Sequence, residues 1–312
     1  MDFKNIVIAG GGVLGSQIAY QTAFKGFNVK VWLRSESSIE RTKPKFERLK
    51  NIYLETLEAM KTNPAAYCHG FTDSNNLSDK EIDALKEQAV KAYENIELTT
   101  SYQEAFKGVD FVIECIAEIP AEKIAFYEEM AKHLPEDAVV ATNSSTLLPS
   151  AFAEYTGRPE KYLALHFANE IWRANTAEVM GHAGTEQKYF DKVVEFVDAI
   201  GMVPLKLNKE QPGYILNSML VPLLNAAQAL LATDVADPET IDKTWKLATG
   251  APMGPFQILD IVGLTTAYNI NSMNPESQNM ESLPGKISAM LKKYIDEGKT
   301  GINSGEGFYK YK

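Results

Sequence analysis

The feature that most constrains this chain is a glycine-rich turn near its beginning. It lies in the segment Ile6-Val7-Ile8-Ala9-Gly10-Gly11-Gly12-Val13-Leu14-Gly15, where an apolar run predicts a buried strand and a helix is predicted from about Val13. Gly10, Gly12 and Gly15 have the spacing G-x-G-x-x-G. In this spacing the first glycine permits a tight turn, the second lets backbone approach a pyrophosphate, and the third lets the helix pack on the strand. Because the helix start also offers free N–H groups, the turn indicates a dinucleotide-binding site.

Composition argues against several other classes of partner. The chain has 312 residues, which allows two domains, and a formal net charge of −10, which argues against nucleic acid or an anionic membrane surface as the main partner. Hydrophobic residues make up 45% of the chain, enough for ordinary cores. No apolar run approaches the ~20 residues of a membrane span, so we expect no membrane partner.

The two cysteines, Cys68 and Cys115, lie far apart and in no metal-binding spacing. We therefore expect two reduced thiols, no metal site and a cytoplasmic protein. The first residues lead directly into a predicted strand, so we also expect no signal peptide.

Predicted strands alternate with helices through the first two-thirds of the chain, which favours an α/β fold with a mostly parallel, Rossmann-type sheet. The polar stretch 37–95 breaks this alternation and is predicted to project from the sheet as a helical hairpin. A predicted capping box, Ser78 to Glu81, opens its second helix. After Gln211-Pro212-Gly213 the pattern is helical throughout. We therefore predict a dinucleotide-binding domain at 1–208 and a helical substrate domain at 209–312, and we expect a homodimer.

Four polar residues suit the oxidation of an alcohol. His166 ends a predicted strand at the carboxyl edge of the sheet, where ligands bind in such folds, and an imidazole suits proton transfer near neutral pH. Glu178, in or next to the following strand, can orient that imidazole. Ser145 follows the preceding strand and can hydrogen-bond the reacting oxygen, while Asn217 opens the first helix of the second domain. Each has a structural alternative: a satisfied histidine, a surface strand residue, a helix cap and an ordinary helix residue, respectively.

The motifs, taken in order, resemble those of the 3-hydroxyacyl-CoA dehydrogenase family over nearly the whole chain. Besides the glycine turn, the resemblance rests on six segments: Glu114-Cys115-Ile116-Ala117-Glu118, Thr142-Asn143-Ser144-Ser145, His166-Phe167-Ala168-Asn169, Gln211-Pro212-Gly213-Tyr214-Ile215-Leu216-Asn217, Pro252-Met253-Gly254-Pro255-Phe256 and Gly305-Glu306-Gly307-Phe308-Tyr309. Several independent motifs in one order are far more specific than the glycine turn alone.

The resemblance implies an oxidoreductase that interconverts a 3-hydroxyacyl-CoA and a 3-ketoacyl-CoA with NAD or NADP. It implies His166 as a base paired with Glu178, and Ser145 and Asn217 as ligands of the substrate oxygen. Together with the glycine turn and the end of the second strand, it leads us to expect the following residues at the cofactor: Gly10, Gly12, Val13, Leu14, Gly15, Leu33, Arg34, Ser35, Glu118, Lys123 and Asn143. For Lys123, a solvated lysine is an equal alternative.

The end of the second predicted strand departs from the family pattern. An NAD-binding fold usually has Asp or Glu here for the ribose hydroxyls, but this chain has Leu33-Arg34-Ser35. Loss of the acid removes repulsion toward a 2′-phosphate, which Arg34 and Ser35 could bind directly. Charge favours NADP and the resemblance favours NAD, so the cofactor is open between the two. A further alternative is that Arg34 stacks on the adenine.

Two more departures concern the substrate. The family has a proline after Asn169, whereas this chain continues Glu170-Ile171-Trp172-Arg173, so acyl preference is open. The hairpin carries an insertion at about 62–76, and the basic residues of its first helix suit the phosphates of CoA or form a solvated face: Lys43, Lys45, Arg48 and Lys50. We expect a small-molecule substrate, a CoA thioester. The alternatives are a free 3-hydroxy acid or diketone, or an inactive nucleotide-binding protein.

Overall fold

The computed structural model describes residues 3–311. They form two compact units, the first ending at Ile215 and the second starting at Leu216. The predicted domain boundary, between residues 208 and 209, lies a short way before this division. Each unit has its own hydrophobic core.

The first unit is built on one sheet of eight strands: β1 (Asn5–Ala9), β2 (Asn28–Trp32), β3 (Glu97–Thr99), β4 (Phe111–Glu114), β5 (Val139–Thr142), β6 (Tyr162–Phe167), β7 (Thr176–Gly181) and β8 (Val203–Leu207). Their order across the sheet is β3-β2-β1-β4-β5-β6-β7-β8. Neighbouring strands are parallel except β6 and β7, which are antiparallel. The prediction of a mostly parallel sheet is confirmed.

The central strands are buried on both faces, because helices cover the sheet. Every residue of β4, β5 and β6 is buried, which explains their continuous apolar runs. The helices of this unit are α1 (Val13–Phe24), α2 (Glu36–Met60), α3 (Asp79–Asn95), α4 (Tyr102–Phe106), α5 (Pro120–Ala131) and α6 (Gln187–Ala199). The strand order reverses at β1, which pairs with β2 on one side and β4 on the other. Open α/β sheets bind ligands at such a reversal, beyond the carboxyl ends of the strands.

Helices α2 and α3 form the predicted hairpin. The Ser78–Glu81 capping box is present at the start of α3. The hairpin is tied to α1 from both helices, because the Tyr53 hydroxyl donates to Gln21 Oε1 over 2.6 Å and the Tyr20 hydroxyl donates to the Ala89 carbonyl over 2.6 Å. The hairpin therefore shares its core with the helix that follows the glycine turn.

The second unit is helical, as predicted. After the start of α7 (Tyr214–Ala232) it contains α8 (Pro238–Thr249), α9 (Pro255–Val262), α10 (Leu264–Ser272) and α11 (Leu283–Asp296). Asp237 caps α8 by accepting from the Thr240 N–H, with Pro238 in the first turn, which matches the sequence signal. The chain end is held by buried Asp260, whose carboxylate accepts the N–H groups of Phe308 and Tyr309.

The expectation that no apolar run approaches the length of a membrane span is wrong. Helix α7 contains no charged residue and is, by length and composition, apolar enough to cross a bilayer. Its asparagine, serine and glutamine residues interrupt the apolar run, but the mean hydropathy of the helix stays high enough for a membrane span. Only 17% of its most apolar window is buried within the structure, so much of this helix exposes apolar side chains.

The glycine turn gives a matched pair of stability predictions. Gly10 has φ +120°, and a Cβ on Gly15 would lie 2.3 Å from the Gly10 carbonyl oxygen, whereas a Cβ on Gly12 would have no described atom within 4 Å. Gly15→Ala should therefore lower the free energy of unfolding by about 1–3 kcal/mol, and Gly12→Ala by less, about 0.5 kcal/mol, because alanine is a poorer N-cap residue than glycine. Urea denaturation of both variants measures this. Equal stability of the two variants would contradict the close packing of α1 on the turn.

Candidate active site

The glycine turn leaves open space where a phosphate would bind. Gly12 is the N-cap residue of α1, and the described chain leaves the position of a Cβ there clear to 4 Å. Gly15, by contrast, is buried against the Gly10 carbonyl. These are the separate roles that the spacing predicts for the second and third glycines, and the first N–H groups of α1 are available to an anion.

A cavity of about 550 Å³ lies beside this turn. Its lining includes four of the predicted cofactor residues, Gly10, Gly12, Leu33 and Arg34. Sequence reasoning did not assign the rest of the lining to the cofactor: Gly11, Trp32, Ser38, Arg41, Thr42, Lys45, Tyr102, Cys115, Ile116, Ala117, Glu122, Ala125 and Phe126. Most of these come from α2 and α5, whose faces toward the turn depend on how the helices pack and not on a local motif.

One residue of the lining carries a hydrogen-bond donor without a partner among the described residues. Trp32, the last residue of β2, is 6% exposed, and its indole Nε1 has no hydrogen-bond partner among residues 3–311. A buried donor without a partner is costly unless a ligand or water satisfies it. The open space at Gly12 and this unpartnered nitrogen in the lining are compatible with a polar ligand such as a nicotinamide dinucleotide.

The wall of the cavity at the end of β2 is basic. Arg34 lies 3.4 Å from Glu122 with 70% of its side chain exposed, Arg41 donates to Ser38 Oγ over 2.8 Å, and Lys45 donates to the Gly11 carbonyl over 2.6 Å. Burial, and to a lesser degree the charge of Arg41, lowers the pKa of Lys45. The nearest acid in sequence, Glu36, instead accepts a hydrogen bond from Thr100 Oγ1.

His166 and Glu178 form a buried pair. They lie directly opposite each other in the antiparallel register of β6 and β7, and His166 Nδ1 is 3.0 Å from Glu178 Oε2. The two residues are 6% and 4% exposed. The other oxygen of Glu178 accepts the Ile215 N–H over 2.8 Å. The alternative of a surface position for Glu178 is therefore wrong.

Ser145 completes a chain of three polar groups. Its Oγ lies 3.2 Å from His166 Nε2, the nitrogen that faces away from Glu178. The proposed helix-capping alternative for Ser145 is wrong, since the next helical turn, Pro149–Ala151, starts from Leu148. The order Glu178–His166–Ser145 is that of an orienting acid, a proton carrier and a hydroxyl donor.

The loop that carries Ser145 is held by a buried ionic network. Glu114 Oε1 accepts from Lys123 Nζ over 2.7 Å, and Glu114 Oε2 accepts from Tyr127 and Thr142. Lys123 Nζ is also 3.6 Å from Glu118, whose Oε1 accepts the Ser145 N–H over 2.7 Å. Lys123 is 1% exposed, so the solvated alternative for it is wrong. The pKa of the Tyr127 phenol is raised by burial and then by the charge of Glu114, which keeps it a hydrogen-bond donor.

The remaining predicted residues lie as follows. Asn143 Oδ1 accepts the Phe167 N–H over 3.1 Å and so ties the end of β5 to that of β6. Asn217 lies in α7, in the second unit. Among residues 3–311, Val13, Leu14, Gly15, Ser35, Glu118, Lys123 and Asn143 are outside the lining of the cavity, and their cofactor contacts stay predictions.

Sequence reasoning missed Tyr214. Its ring stacks on the imidazole of His166, with centroids 4.4 Å apart and planes 9° apart. Its hydroxyl donates to the Ser144 carbonyl over 2.6 Å. The only signal in the sequence is its place next to Gly213 within a family motif.

Comparison with known families agrees with this geometry. The profile described as "3-hydroxyacyl-CoA dehydrogenase, NAD binding domain" matches residues 5–211, and the profile described as "3-hydroxyacyl-CoA dehydrogenase, C-terminal domain" matches residues 213–311. The chain belongs to the 3-hydroxyacyl-CoA dehydrogenase family. It is therefore an oxidoreductase, and its first unit carries the family's domain for a nicotinamide cofactor.

Individual relatives match over almost their full lengths. The human mitochondrial hydroxyacyl-coenzyme A dehydrogenase is 31% identical over 310 residues, covering 99% of this chain and 91% of that protein. The probable 3-hydroxybutyryl-CoA dehydrogenase of Bacillus subtilis (strain 168) is 29% identical, covering 100% and 98%. A solved structure described as "Substrate-directed dual catalysis of dicarbonyl compounds by diketoreductase" is 45% identical, with a TM-score of 0.86 and complete coverage of both chains.

The pair of His166 and Glu178 predicts a specific loss of turnover. His166→Gln keeps a polar side chain but removes the group that carries the proton, so turnover should fall by about 10²–10⁴-fold while cofactor binding stays nearly unchanged. Steady-state rates and cofactor titration by fluorescence measure the two quantities. His133→Gln, at a helix end beside Glu129, is the control and should keep full turnover. Normal turnover in His166→Gln would remove the assignment.

Proposed function

We propose that this enzyme interconverts a 3-hydroxyacyl thioester and the corresponding 3-oxoacyl thioester, using a nicotinamide dinucleotide. The observation that carries the proposal is His166 held between Glu178 and Ser145, at 3.0 and 3.2 Å. The family and its relatives named for 3-hydroxyacyl-CoA substrates support the thioester. The bound cofactor would supply the acceptor or donor of the hydride at the substrate carbon.

The residues of this chain handle the proton. Glu178 favours the tautomer of His166 with a proton on Nδ1, which leaves Nε2, beside Ser145 Oγ, unprotonated and able to accept the hydroxyl proton of the alcohol. The carboxylate then stabilises the imidazolium that forms. The Ser145 hydroxyl, next to Nε2, donates to the substrate oxygen. In the reducing direction the imidazolium returns the proton from Nε2 to the same oxygen, so both directions use the same three groups.

A second candidate is the same chemistry on a dicarbonyl compound without CoA. The 45% identical structure is described as a diketoreductase. Within the hairpin, three of the four basic residues that would suit CoA phosphates contact protein groups instead: Lys43 pairs with Glu40 at 2.9 Å, Lys45 donates to Gly11, and Lys50 lies over the Tyr93 ring. The loop after His166 turns its Ile171 and Trp172 side chains into the core.

Initial rates on matched substrates separate the two candidates. We expect reduction of acetoacetyl-CoA, and we compare it with two compounds that lack CoA, acetoacetate and a free diketone. A higher kcat/KM for acetoacetyl-CoA supports the thioester, and a higher value for the free compounds supports the second candidate. Inactivity on all three compounds, in a protein that binds the cofactor, would overturn both.

We infer further that the cofactor is NADP. The end of β2 has Arg34 where an acid would bind the ribose hydroxyls, and Arg41 and Lys45 add positive charge to the same cavity. The contact of Arg34 with Glu122 is long, at 3.4 Å, and exposed, so a phosphate dianion can replace it. Ser38 lines the cavity as a further hydroxyl donor.

Reversing the charge of Arg34 tests the choice of cofactor. Arg34→Asp should lower kcat/KM for NADPH by about 10–100-fold, because a charge-assisted hydrogen bond is lost, and should leave or improve the value for NADH. Lys30→Asp, within β2 and paired with Glu97, is the control. Wild-type preference for NADH, or an equal loss with both cofactors in Arg34→Asp, would contradict NADP.

We also propose a homodimer formed through the second unit. Several large apolar side chains of this unit are exposed, among them Met219 at 70%, Leu247 at 76% and Met273 at 79%. These side chains and the exposed face of α7 would lose contact with water if they packed against a second copy of the chain, which favours a dimer. Sedimentation velocity distinguishes the dimer from a monomer.

A further inference from the structure

We propose that Tyr214 is a positioning residue that fixes the plane of His166 and stabilises its protonated form. The inference deepens the proposed function and rests on it for the kinetic part of its test. The spectroscopic part of the test is independent of the proposed function. Three independent observations carry it: ring geometry, backbone conformation and the connections on either side of the tyrosine.

The ring geometry places a charge-stabilising surface against the imidazole. The rings are 4.4 Å apart and within 9° of parallel, so the imidazolium would lie over the face of the phenol ring. The face of an aromatic ring attracts a cation within about 6 Å, more strongly when the pair is shielded from water. Tyr214 is 1% exposed and His166 is 6% exposed. The same stacking opposes rotation of the imidazole about its Cβ–Cγ bond.

The backbone at Tyr214 adopts a conformation that a bulky residue rarely takes. Its φ is +55°, in the left-handed region, directly after Gly213 at φ +77°. Such conformations persist only where surrounding contacts hold them, and they concentrate at functional sites. This turn places two groups against the His166–Glu178 pair. The Tyr214 ring stacks on His166, and the Ile215 N–H donates to Glu178 Oε1.

The hydroxyl of Tyr214 connects this turn to the serine loop. It donates to the Ser144 carbonyl over 2.6 Å, next to Ser145. Burial raises the pKa of the Tyr214 phenol, with smaller contributions from the charges of Glu118, Glu178 and Glu114, so it remains a donor. The imidazole thus faces Glu178 from β7, the Ser145 hydroxyl from the loop after β5, and the Tyr214 ring at the start of α7.

Two variants separate the ring from its hydroxyl. Tyr214→Phe keeps the stacked ring and Tyr214→Leu removes it, leaving an apolar side chain. In Tyr214→Leu the protonated imidazole loses the ring face, so the acid limb of the kcat/KM profile for alcohol oxidation should move to lower pH by about half a unit to one unit. Tyr214→Phe should keep the wild-type limb. KM for the cofactor should change in neither variant, since Tyr214 is not in the lining of the cavity among the described residues.

A spectroscopic readout needs no substrate. A ring stacked on an imidazole shields its carbon-bound protons, so the His166 signals in ¹H–¹³C NMR, assigned by their loss in His166→Gln, should lie upfield in the wild type and in Tyr214→Phe. They should return toward ordinary positions in Tyr214→Leu. Circular dichroism shows whether each variant is folded.

The outcomes are distinguishable. Ordinary wild-type shifts for His166 would overturn the stacking, even if Tyr214→Leu fails to fold. Unchanged shifts and an unchanged acid limb in a folded Tyr214→Leu would overturn the role of the ring. Absence of activity in the wild type on every substrate would overturn the proposed function and leave the NMR result to decide the position of Tyr214.

Discussion

The hydrogen bond between His166 and Glu178 depends on one feature of the sheet, the antiparallel pairing of β6 and β7. Antiparallel register sets the two residues directly opposite each other, so their side chains leave the same face at one point. Both strands lie within the sheet, since β5 and β8 pair with their outer edges. The position of the acid relative to the base is therefore set by backbone pairing and not by a flexible loop, which gives the pair its precision.

Around this pair the structure buries an unusual amount of charge. Lys123 and Glu114 are 1% and 0% exposed, and every oxygen of Glu114 accepts at least one hydrogen bond. Removing charged groups from water costs free energy unless partners pair with them and accept or donate their hydrogen bonds. Removing one partner of a buried pair destabilises the protein strongly, because the other charge stays buried without compensation. The network has a clear structural consequence, because it ends at Glu118, which holds the Ser145 N–H and the Ser144 hydroxyl. Buried charge thus serves to hold the loop that carries the serine.

The parts that could be predicted from sequence depend on short-range chemistry. The glycine spacing, the Ser78–Glu81 capping box and the proline after Asp237 each act over a few residues, and the structure has all three. The contacts of His166 with Glu178 and Ser145 could be predicted because strand ends of one sheet meet at one edge, and the resemblance supported them. The direction of β7 could not be deduced from the sequence, because side chains alternate between the two faces of a sheet in parallel and antiparallel strands alike.

Other features depend on packing that no local pattern encodes. A lysine on an amphipathic helix reads as solvated, but Lys123 faces a carboxylate from a neighbouring strand. Tyr214 reads as one more apolar helix residue, yet it stacks on the base because its backbone is left-handed. Helix α7 leaves much of its apolar surface exposed. A count of the apolar residues in the sequence does not show which of them are buried in the structure.

The central claim is that His166, steered by Glu178, exchanges a proton with the oxygen at the reacting carbon. A crystal structure of the enzyme with its cofactor and a 3-oxoacyl ligand tests this most directly. We expect the 3-oxo oxygen to lie about 2.6–3.2 Å from both His166 Nε2 and Ser145 Oγ. A ligand bound with that oxygen away from both atoms, and with His166 still contacting only protein groups, would contradict it.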